Sequence, residues 1–287
     1  LFLKMVAVVE VNPRLDNLGL DPLPDIDFNI RCGNTLVGYA TETELDNDLN
    51  YGDMFAKMEF KEEVELKMEV VARAYELFKD LQLTSQEETS EYKESKMELK
   101  KKLDELNDLL NHKLYSSTAG LANGGKKGLS YESWLSSHQP FHWLAEYYQI
   151  MHGNNGFDVI IGNPPYVVYN AKKYFYKISE NYKTYKCANL YAYCIERGHQ
   201  ILSNKGTFGI IVPNSSISAT KMSPVQDIIK NGNICWVSNY SWRPAKLFEG
   251  ADMLLAIIID RKDEKEYTYS TRYYKWYNEY RAFLFQN

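Results

Sequence analysis

Short apolar runs alternate with amphipathic stretches along the second half of the chain. Strands are predicted where β-branched and aliphatic residues dominate, at residues 157–162, 208–212, 234–237 and 254–259. Helices are predicted between these runs, at residues 189–202 and 223–231. Strands that alternate with helices indicate an α/β fold with a doubly wound, mostly parallel sheet. Because residues 159–161 are all β-branched, we expect the first run to be a buried central strand.

A different pattern precedes these runs. Apolar side chains recur at intervals of four and three residues along two seams: Val64, Met68, Val71, Tyr75 and Phe78, then Leu99, Leu103, Leu106 and Leu110. Such seams predict two long amphipathic helices. The polar residues 84–89 are expected to turn between them, which gives an antiparallel helical hairpin inserted into the sheet. The hairpin is interpreted either as a spacer or docking arm, or as a surface that contacts nucleic acid or a neighbouring domain.

The changes of pattern divide the chain into three parts. They are a first part of the α/β core at residues 1–52, the inserted hairpin with its return loop at 53–130, and the remainder of the core at 131–287. In the first part we expect a helix at residues 1–11, a loop rich in Pro and Asp, and a strand at residues 28–32. An aromatic helix that contains Trp134, Trp143 and Tyr147 is predicted to lead into the run at 157–162.

Composition narrows the class of protein. The chain has 287 residues, 45% hydrophobic and 25% charged, which is ordinary for globular proteins. Its net charge of −5 gives it no overall positive field that would attract nucleic acid. The four cysteines lack metal-site spacing, so we expect no metal and a reducing, cytoplasmic environment. No apolar stretch reaches the 18 residues of a membrane helix.

The candidate chemistry lies in the tetrapeptide Asn163-Pro164-Pro165-Tyr166, directly after the first run. Two prolines fix their own φ angles near about −65° and remove two N–H groups, so this loop is stiff. It follows a strand, and open α/β sheets bind ligands at the carboxyl ends of their strands. The Asn163 side chain and the Pro164 carbonyl can accept both hydrogens of an exocyclic amine, while Tyr166 can stack on a planar ring. The alternative is an ordinary strand-exit turn with a packed tyrosine.

Four segments in order carry a family resemblance. They read DIDFNIRCGNTLVG from residue 25, FDVIIGNPPYV from 157, ANLYAY to GIIVPN over 188–214, and LFEGAD from 247. The second segment resembles the catalytic motif of S-adenosylmethionine-dependent amino-methyltransferases, particularly the gamma-class adenine-N6 DNA methyltransferases. The other three are similar to segments of large methylases of type IIG restriction–modification and phage-defence systems.

The resemblance implies a partial Rossmann-like methyltransferase core. It implies S-adenosylmethionine as cofactor and, as substrate, double-stranded DNA with a flipped adenine. By this likeness Asn163 and Pro164 hold the N6 amine, Pro165 and Asn34 contact the cofactor, and Tyr166 stacks on the base. Phe248 matches a position that can supply a second aromatic ring. For Asn34 and Phe248 the alternatives are a turn cap and a core residue.

The chain also departs from the family pattern. No Gly-rich loop after a strand, and no acidic residue after the next strand, occurs where the family binds its cofactor. We therefore expect an internal fragment that is inactive alone. Its expected partners are the missing cofactor-loop segment and target-recognition domain of the same protein. Three alternatives remain open, namely methylation of an exocyclic cytosine amine, methylation of a protein glutamine amide, and a non-catalytic interaction piece.

Overall fold

The computed structural model describes most of the chain. The described residues are 14, 27–49, 54–84, 89–119, 129–263 except 172 and 175, and 265–283. The predicted helix at 1–11, most of the Pro/Asp-rich loop, and the tip of the hairpin at 85–88 lie outside these residues.

Eight helices and five strands are found in the described residues. The helices are α1 (Glu42–Leu49), α2 (Met54–Thr84), α3 (Ser90–Ala119), α4 (Tyr131–His138), α5 (Trp143–Glu146), α6 (Leu190–Ile201), α7 (Ser215–Ser218) and α8 (Ser223–Lys230). The strands are β1 (Phe157–Gly162), β2 (Leu202–Pro213), β3 (Asn233–Tyr240), β4 (Leu255–Lys262) and β5 (Tyr267–Ser270). A π-helical turn covers Gln149–Gly153, and 3₁₀ turns cover Tyr185–Cys187, Thr220–Met222 and Asn278–Phe283.

The strands form one sheet in the order β1-β2-β4-β3-β5. β1 runs parallel to β2 and β3 runs parallel to β5, whereas β4 is antiparallel to both β2 and β3. Four of the five strands therefore point the same way, which confirms the predicted α/β fold with a mostly parallel sheet. The predicted strands and helices after residue 157 are also confirmed, and β2, β3 and β4 are longer than predicted. The strand β5 and the short helix α7 have no counterpart in the sequence prediction, because neither segment contains an apolar run.

One face of the sheet packs against α6 and α8. The inward side chains of β2, β3 and β4, among them Phe208, Val237 and Ile258, are buried in a cluster with Ile195 and Val225 of these helices. α6 approaches β2 closely because position 198 is glycine, and a Cβ atom there would collide with the Phe208 ring. This packing fixes β2 beneath α6, and β1 is held to β2 by their parallel ladder.

The opposite face carries a row of outward residues that are paired across all five strands: Ile161, Gly209, Ile259, Trp236 and Tyr269. Ile161 is 85% exposed, and Val159 two residues earlier is 66% exposed. The expectation of a buried central strand is therefore wrong for β1. Among the described residues β1 pairs only with β2, so it forms an edge of the sheet that these residues make.

The predicted helical hairpin is confirmed. The Phe78 and Tyr92 rings lie 5.3 Å apart, and the Lys113 ammonium lies 5.7 Å from the Phe60 ring, so α2 and α3 are antiparallel. Every seam residue is buried except Tyr75, which is partly buried. The 4-3 spacing therefore identified the contact surface between the two helices.

The hairpin also packs on the segments beside it. Its apolar cluster includes Phe28, Tyr39 and Leu144, which belong to the rest of the chain. His142 joins the parts by hydrogen bonds, since its Nδ1 accepts from the Tyr39 amide at 3.0 Å and its Nε2 lies 3.0 Å from Asn111 Oδ1. The hairpin is thus anchored through apolar and polar contacts.

Two predicted elements are wrong. Residues 28–32 form turns and coil instead of a strand, because Phe28 packs edge-on against Phe78 at 5.0 Å and Arg31 pairs with Glu146 at 3.1 Å. The aromatic helix before β1 is broken into α4, α5 and the π-helical turn. Pro140 explains the break, because it disfavours helical geometry in the residue before it, and Gln139 is left-handed with φ 44°.

Candidate active site

The Asn163-Pro164-Pro165-Tyr166 loop leaves the carboxyl end of β1, as predicted. Gly162 pairs with Ile210, so Asn163 emerges beside the last residues of β2. Downstream, the Leu190 amide donates to the Val167 carbonyl at 2.9 Å, and the Tyr169 amide donates to the Ala188 carbonyl at 2.9 Å. The loop is therefore held at one end by the sheet and at the other by the start of α6.

Tyr166 folds back over this loop. Its hydroxyl lies 2.9 Å from Asn163 Oδ1 and 3.1 Å from the Ile211 carbonyl, and both oxygens are acceptors. Burial raises the pKa of the Tyr166 hydroxyl to about 12, so the group keeps its proton at neutral pH and acts as a donor. Asn163 is exposed while Tyr166 is half-buried. The side-chain acceptor of the loop thus lies at the protein surface and is already in contact with the tyrosine hydroxyl.

Phe248 lies close to Tyr166. The two ring centroids are 6.5 Å apart and the ring planes are inclined by 44°. Phe248 is on the loop between β3 and β4, which crosses the same end of the sheet. The structure therefore brings together the two aromatic residues that the sequence placed 82 positions apart.

Asn34 is used within its own turn. Its side-chain Oδ1 accepts from the Leu36 backbone amide at 3.2 Å. The backbone amide of Asn34 donates to the Gln139 carbonyl at 2.7 Å. This geometry is that of a turn cap, the alternative given by the sequence. The side-chain oxygen keeps a second lone pair and the side-chain nitrogen keeps its hydrogens, so a ligand contact is compatible with the cap.

The tyrosine-rich segment after the loop forms a cluster of its own. Tyr169, Tyr182 and Tyr193 are buried around Ile178. Glu196 of α6 holds the end of this segment, because its carboxylate accepts hydrogen bonds from the Lys183 and Thr184 backbone amides at 2.9 and 2.8 Å. These tyrosines fix the chain that leads from the loop to α6.

A polar network at the end of β2 was missed by the sequence prediction. Asn214 is buried and donates to Asn239 Oδ1 at 2.7 Å, while its own Oδ1 accepts from the Tyr273 hydroxyl at 2.8 Å. The sequence did contain a signal for Asn214, because this asparagine comes directly after an apolar strand and a proline, and Asn163 also comes directly after an apolar strand. Its partners were not predictable, since they come from β3 and from a segment beyond β5.

The sequence was compared with models of known protein families. The model of the Eco57I restriction-modification methylase family matches residues 55–248, which is more than half of the chain and includes both the Asn163 loop and Phe248. This chain belongs to that family. In the part of this Eco57I-family methylase that the structure describes, no three His, Cys, Asp or Glu side chains could hold a metal ion together. Within the same residues, no helix has the length and apolar character needed to cross a bilayer.

A relative and several solved structures are similar to this Eco57I-family methylase. A predicted type II restriction enzyme and methyltransferase of Methanocaldococcus jannaschii is 25% identical over 278 residues, covering 84% of this chain and 22% of that protein. The chain thus spans less than a quarter of that relative.

The structural likenesses are remote. The DrdV–DNA complex gives a TM-score of 0.36 at 11% identity, covering 57% of this chain and 20% of the other. A class I S-adenosylmethionine-dependent methyltransferase assigned in Listeria monocytogenes gives 0.29 at 16% identity, covering 40% and 36%. Likenesses at these TM-scores carry no argument about function.

Proposed function

We propose that this chain carries the methyl-transfer site of a DNA methyltransferase that modifies the N6 amine of adenine in a restriction–modification or phage-defence system. The observation that carries the proposal is the stiff Asn163-Pro164-Pro165-Tyr166 loop at the carboxyl end of β1, with the Phe248 ring 6.5 Å from Tyr166. Membership of a restriction-modification methylase family supports it.

The loop would act on the acceptor nitrogen. Asn163 Oδ1 and the Pro164 carbonyl would each accept one hydrogen of the amine, which draws the nitrogen towards tetrahedral geometry and frees its lone pair. No strong base is required, because the nitrogen can lose its proton after it has gained the methyl group. The prolines hold both acceptors in place, so little freedom is lost on binding.

The aromatic rings would hold the base outside the duplex. An adenine must leave the helix before its N6 can be reached, at a cost of a few kcal/mol. Stacking on Tyr166 would return roughly 1–3 kcal/mol. Two carbon–carbon contact distances of about 3.5 Å sum to about 7 Å, so the centroids of Tyr166 and Phe248, observed at 6.5 Å, would have to separate slightly to admit a base. The 44° inclination would have to close as the rings become parallel to the base.

Two described residues would supply part of a cofactor site. S-adenosylmethionine supplies an electrophilic methyl group on a sulfonium. Pro165 is exposed on the loop and would line its methionine end, while Asn34 would contact its adenine with the lone pair that the Leu36 amide leaves open. We assign the remaining cofactor contacts and the reading of the DNA sequence to other segments of the same protein, which would act on duplex DNA in the cytosol.

The test is a single substitution in the complete protein. Asn163→Ala should lower the single-turnover rate of methylation of adenine-containing duplexes by about 10²–10³, because one preorganised polar contact to the reacting group is lost. Affinity for S-adenosylmethionine should stay unchanged. Asn181→Ala, an exposed asparagine on a neighbouring surface loop, is the control. Full activity in Asn163→Ala would remove this loop from the mechanism.

A further inference from the structure

The chain beyond β5 continues along the edge of β3. The Thr271 amide donates to the Val237 carbonyl at 3.0 Å, and the Tyr274 amide donates to the Asn239 carbonyl at 2.9 Å. The Ser241 amide returns a bond to the Tyr274 carbonyl at 2.9 Å. Residues 271–283, here called the brace, therefore reach the start of the loop that joins β3 to β4.

The brace packs beneath that loop. Trp276 is buried and meets Tyr240 edge-on, with ring centroids 5.9 Å apart. Ala245 is buried in the same cluster, and Leu247 packs against it. Trp276 thus supports the β3–β4 loop from below, directly before Phe248.

Arg281 holds the same stretch from outside. Its Nη2 donates to the Lys246 carbonyl at 3.0 Å and to the Leu247 carbonyl at 2.8 Å. These are the two residues that precede Phe248. The geometry points to Arg281 as a positioning residue that fixes the backbone before Phe248 and so sets the width of the slot between Phe248 and Tyr166. This inference rests on the proposed function, which makes that slot the binding place of the extrahelical base.

The chemistry of the contact favours arginine. One guanidinium nitrogen carries two hydrogens, so Nη2 can serve two neighbouring carbonyls while the planar group stays rigid. A lysine ammonium is a compact donor on a flexible chain, so it would hold the two carbonyls less well. Arg272 lies exposed on the same brace and makes no hydrogen bond or ion pair among the described residues. It is the matched control for loss of a positive charge.

The first measurement is independent of activity. Hydrogen exchange of the complete protein, resolved to single amides, should show faster exchange of the Ala251 amide, which donates to the Phe248 carbonyl at 3.4 Å, in Arg281→Gln, whereas Arg272→Gln should match the wild-type protein. Unchanged exchange in Arg281→Gln would overturn the inference. Hydrogen exchange tests the contact of Arg281 with the β3–β4 loop even if the proposed reaction is wrong.

The second measurement is a double-mutant cycle in single-turnover methylation. Arg281→Gln should weaken productive binding of DNA roughly tenfold to a hundredfold, as misplacement of a contact group commonly does, with unchanged affinity for S-adenosylmethionine. In a Phe248→Ala background the same substitution should have no further effect, because Arg281 acts through Phe248. Additive losses of DNA binding in the double mutant would show that Arg281 does not act through Phe248. An equal loss in Arg272→Gln would show a general effect of positive charge. Either result would overturn the inference. Asn163→Ala is measured in the same assay. If it is inactive while the Arg281 results fail, the proposed function stands and only the role of Arg281 is rejected.

Discussion

Single residues in the candidate site have more than one contact available to them. The Tyr166 hydroxyl lies 2.9 Å from Asn163 Oδ1, the oxygen that the proposed mechanism assigns to the target amine. The amine must therefore replace or share this contact when it binds. The ring of Tyr166, in contrast, packs against the apolar cluster of the sheet and faces Phe248, where the proposed mechanism has it stack on the base.

Substitutions at Tyr166 separate these two contacts. Tyr166→Phe should keep much of the methylation activity, because the ring face does the stacking and Asn163 loses only a competing donor. Tyr166→Ala should weaken capture of the extrahelical base by roughly 1–3 kcal/mol. Single-turnover assays with tritium-labelled cofactor measure both. A Tyr166→Phe protein as defective as Tyr166→Ala would assign the essential role to the hydroxyl.

Helices and strands were predictable where one physical pattern dominated. The hairpin followed from its 4-3 seams, and β2, β3 and β4 followed from apolar runs. The strand at residues 28–32 failed because Phe28 is buried by the hairpin, a partner that local sequence does not reveal. The prediction that β1 is a buried central strand failed for a related reason. Its composition predicts a strand but does not reveal which strands lie beside it.

The inserted hairpin can be tested as an element. The buried residues of the sheet form a cluster separate from the cluster that contains α2 and α3. Replacing residues 55–115 with a short Gly/Ser linker should therefore leave the sheet with a cooperative unfolding transition in urea. The midpoint should fall, because Tyr39 and Leu144 lose their cover. Complete loss of the transition would mean that the hairpin belongs to the core.

The joint between hairpin and core should be sensitive to acid. Burial, with a smaller effect of the Arg197 charge, lowers the pKa of His142 from 6.5 to about 3. Above pH 6.5 neither the folded nor the unfolded state protonates this imidazole. Below that pH only the unfolded state binds the proton, so the free energy of unfolding falls by about 1.4 kcal/mol per pH unit. By pH 5 the loss is roughly 2 kcal/mol.

Urea unfolding of this chain at several pH values measures the effect. His142→Gln should flatten the dependence between pH 6.5 and pH 5, whatever its stability at neutral pH. Parallel pH profiles for the wild-type protein and His142→Gln would contradict the assignment.

The whole molecule combines an acidic net charge with a proposed polyanionic substrate. The net charge is −5, so attraction to DNA would have to come from local groups or from other segments of the protein. Composition predicted a globular protein, whereas the proposed DNA partner was expected only from the loop and its resemblance.

In the part of the chain that the structure describes, β1 has an unpaired edge beside the outward row of Ile161, Ile259 and Trp236, and this has a consequence for purification. Unpaired strand edges beside exposed apolar side chains promote intermolecular pairing and precipitation. Val159→Lys with Ile259→Lys should keep the fold and reduce the sedimenting aggregate, since both side chains are exposed. Ile258→Lys, at a fully buried neighbour, should unfold the chain instead. We therefore expect the solubility of the isolated chain to respond to these two exposed apolar positions.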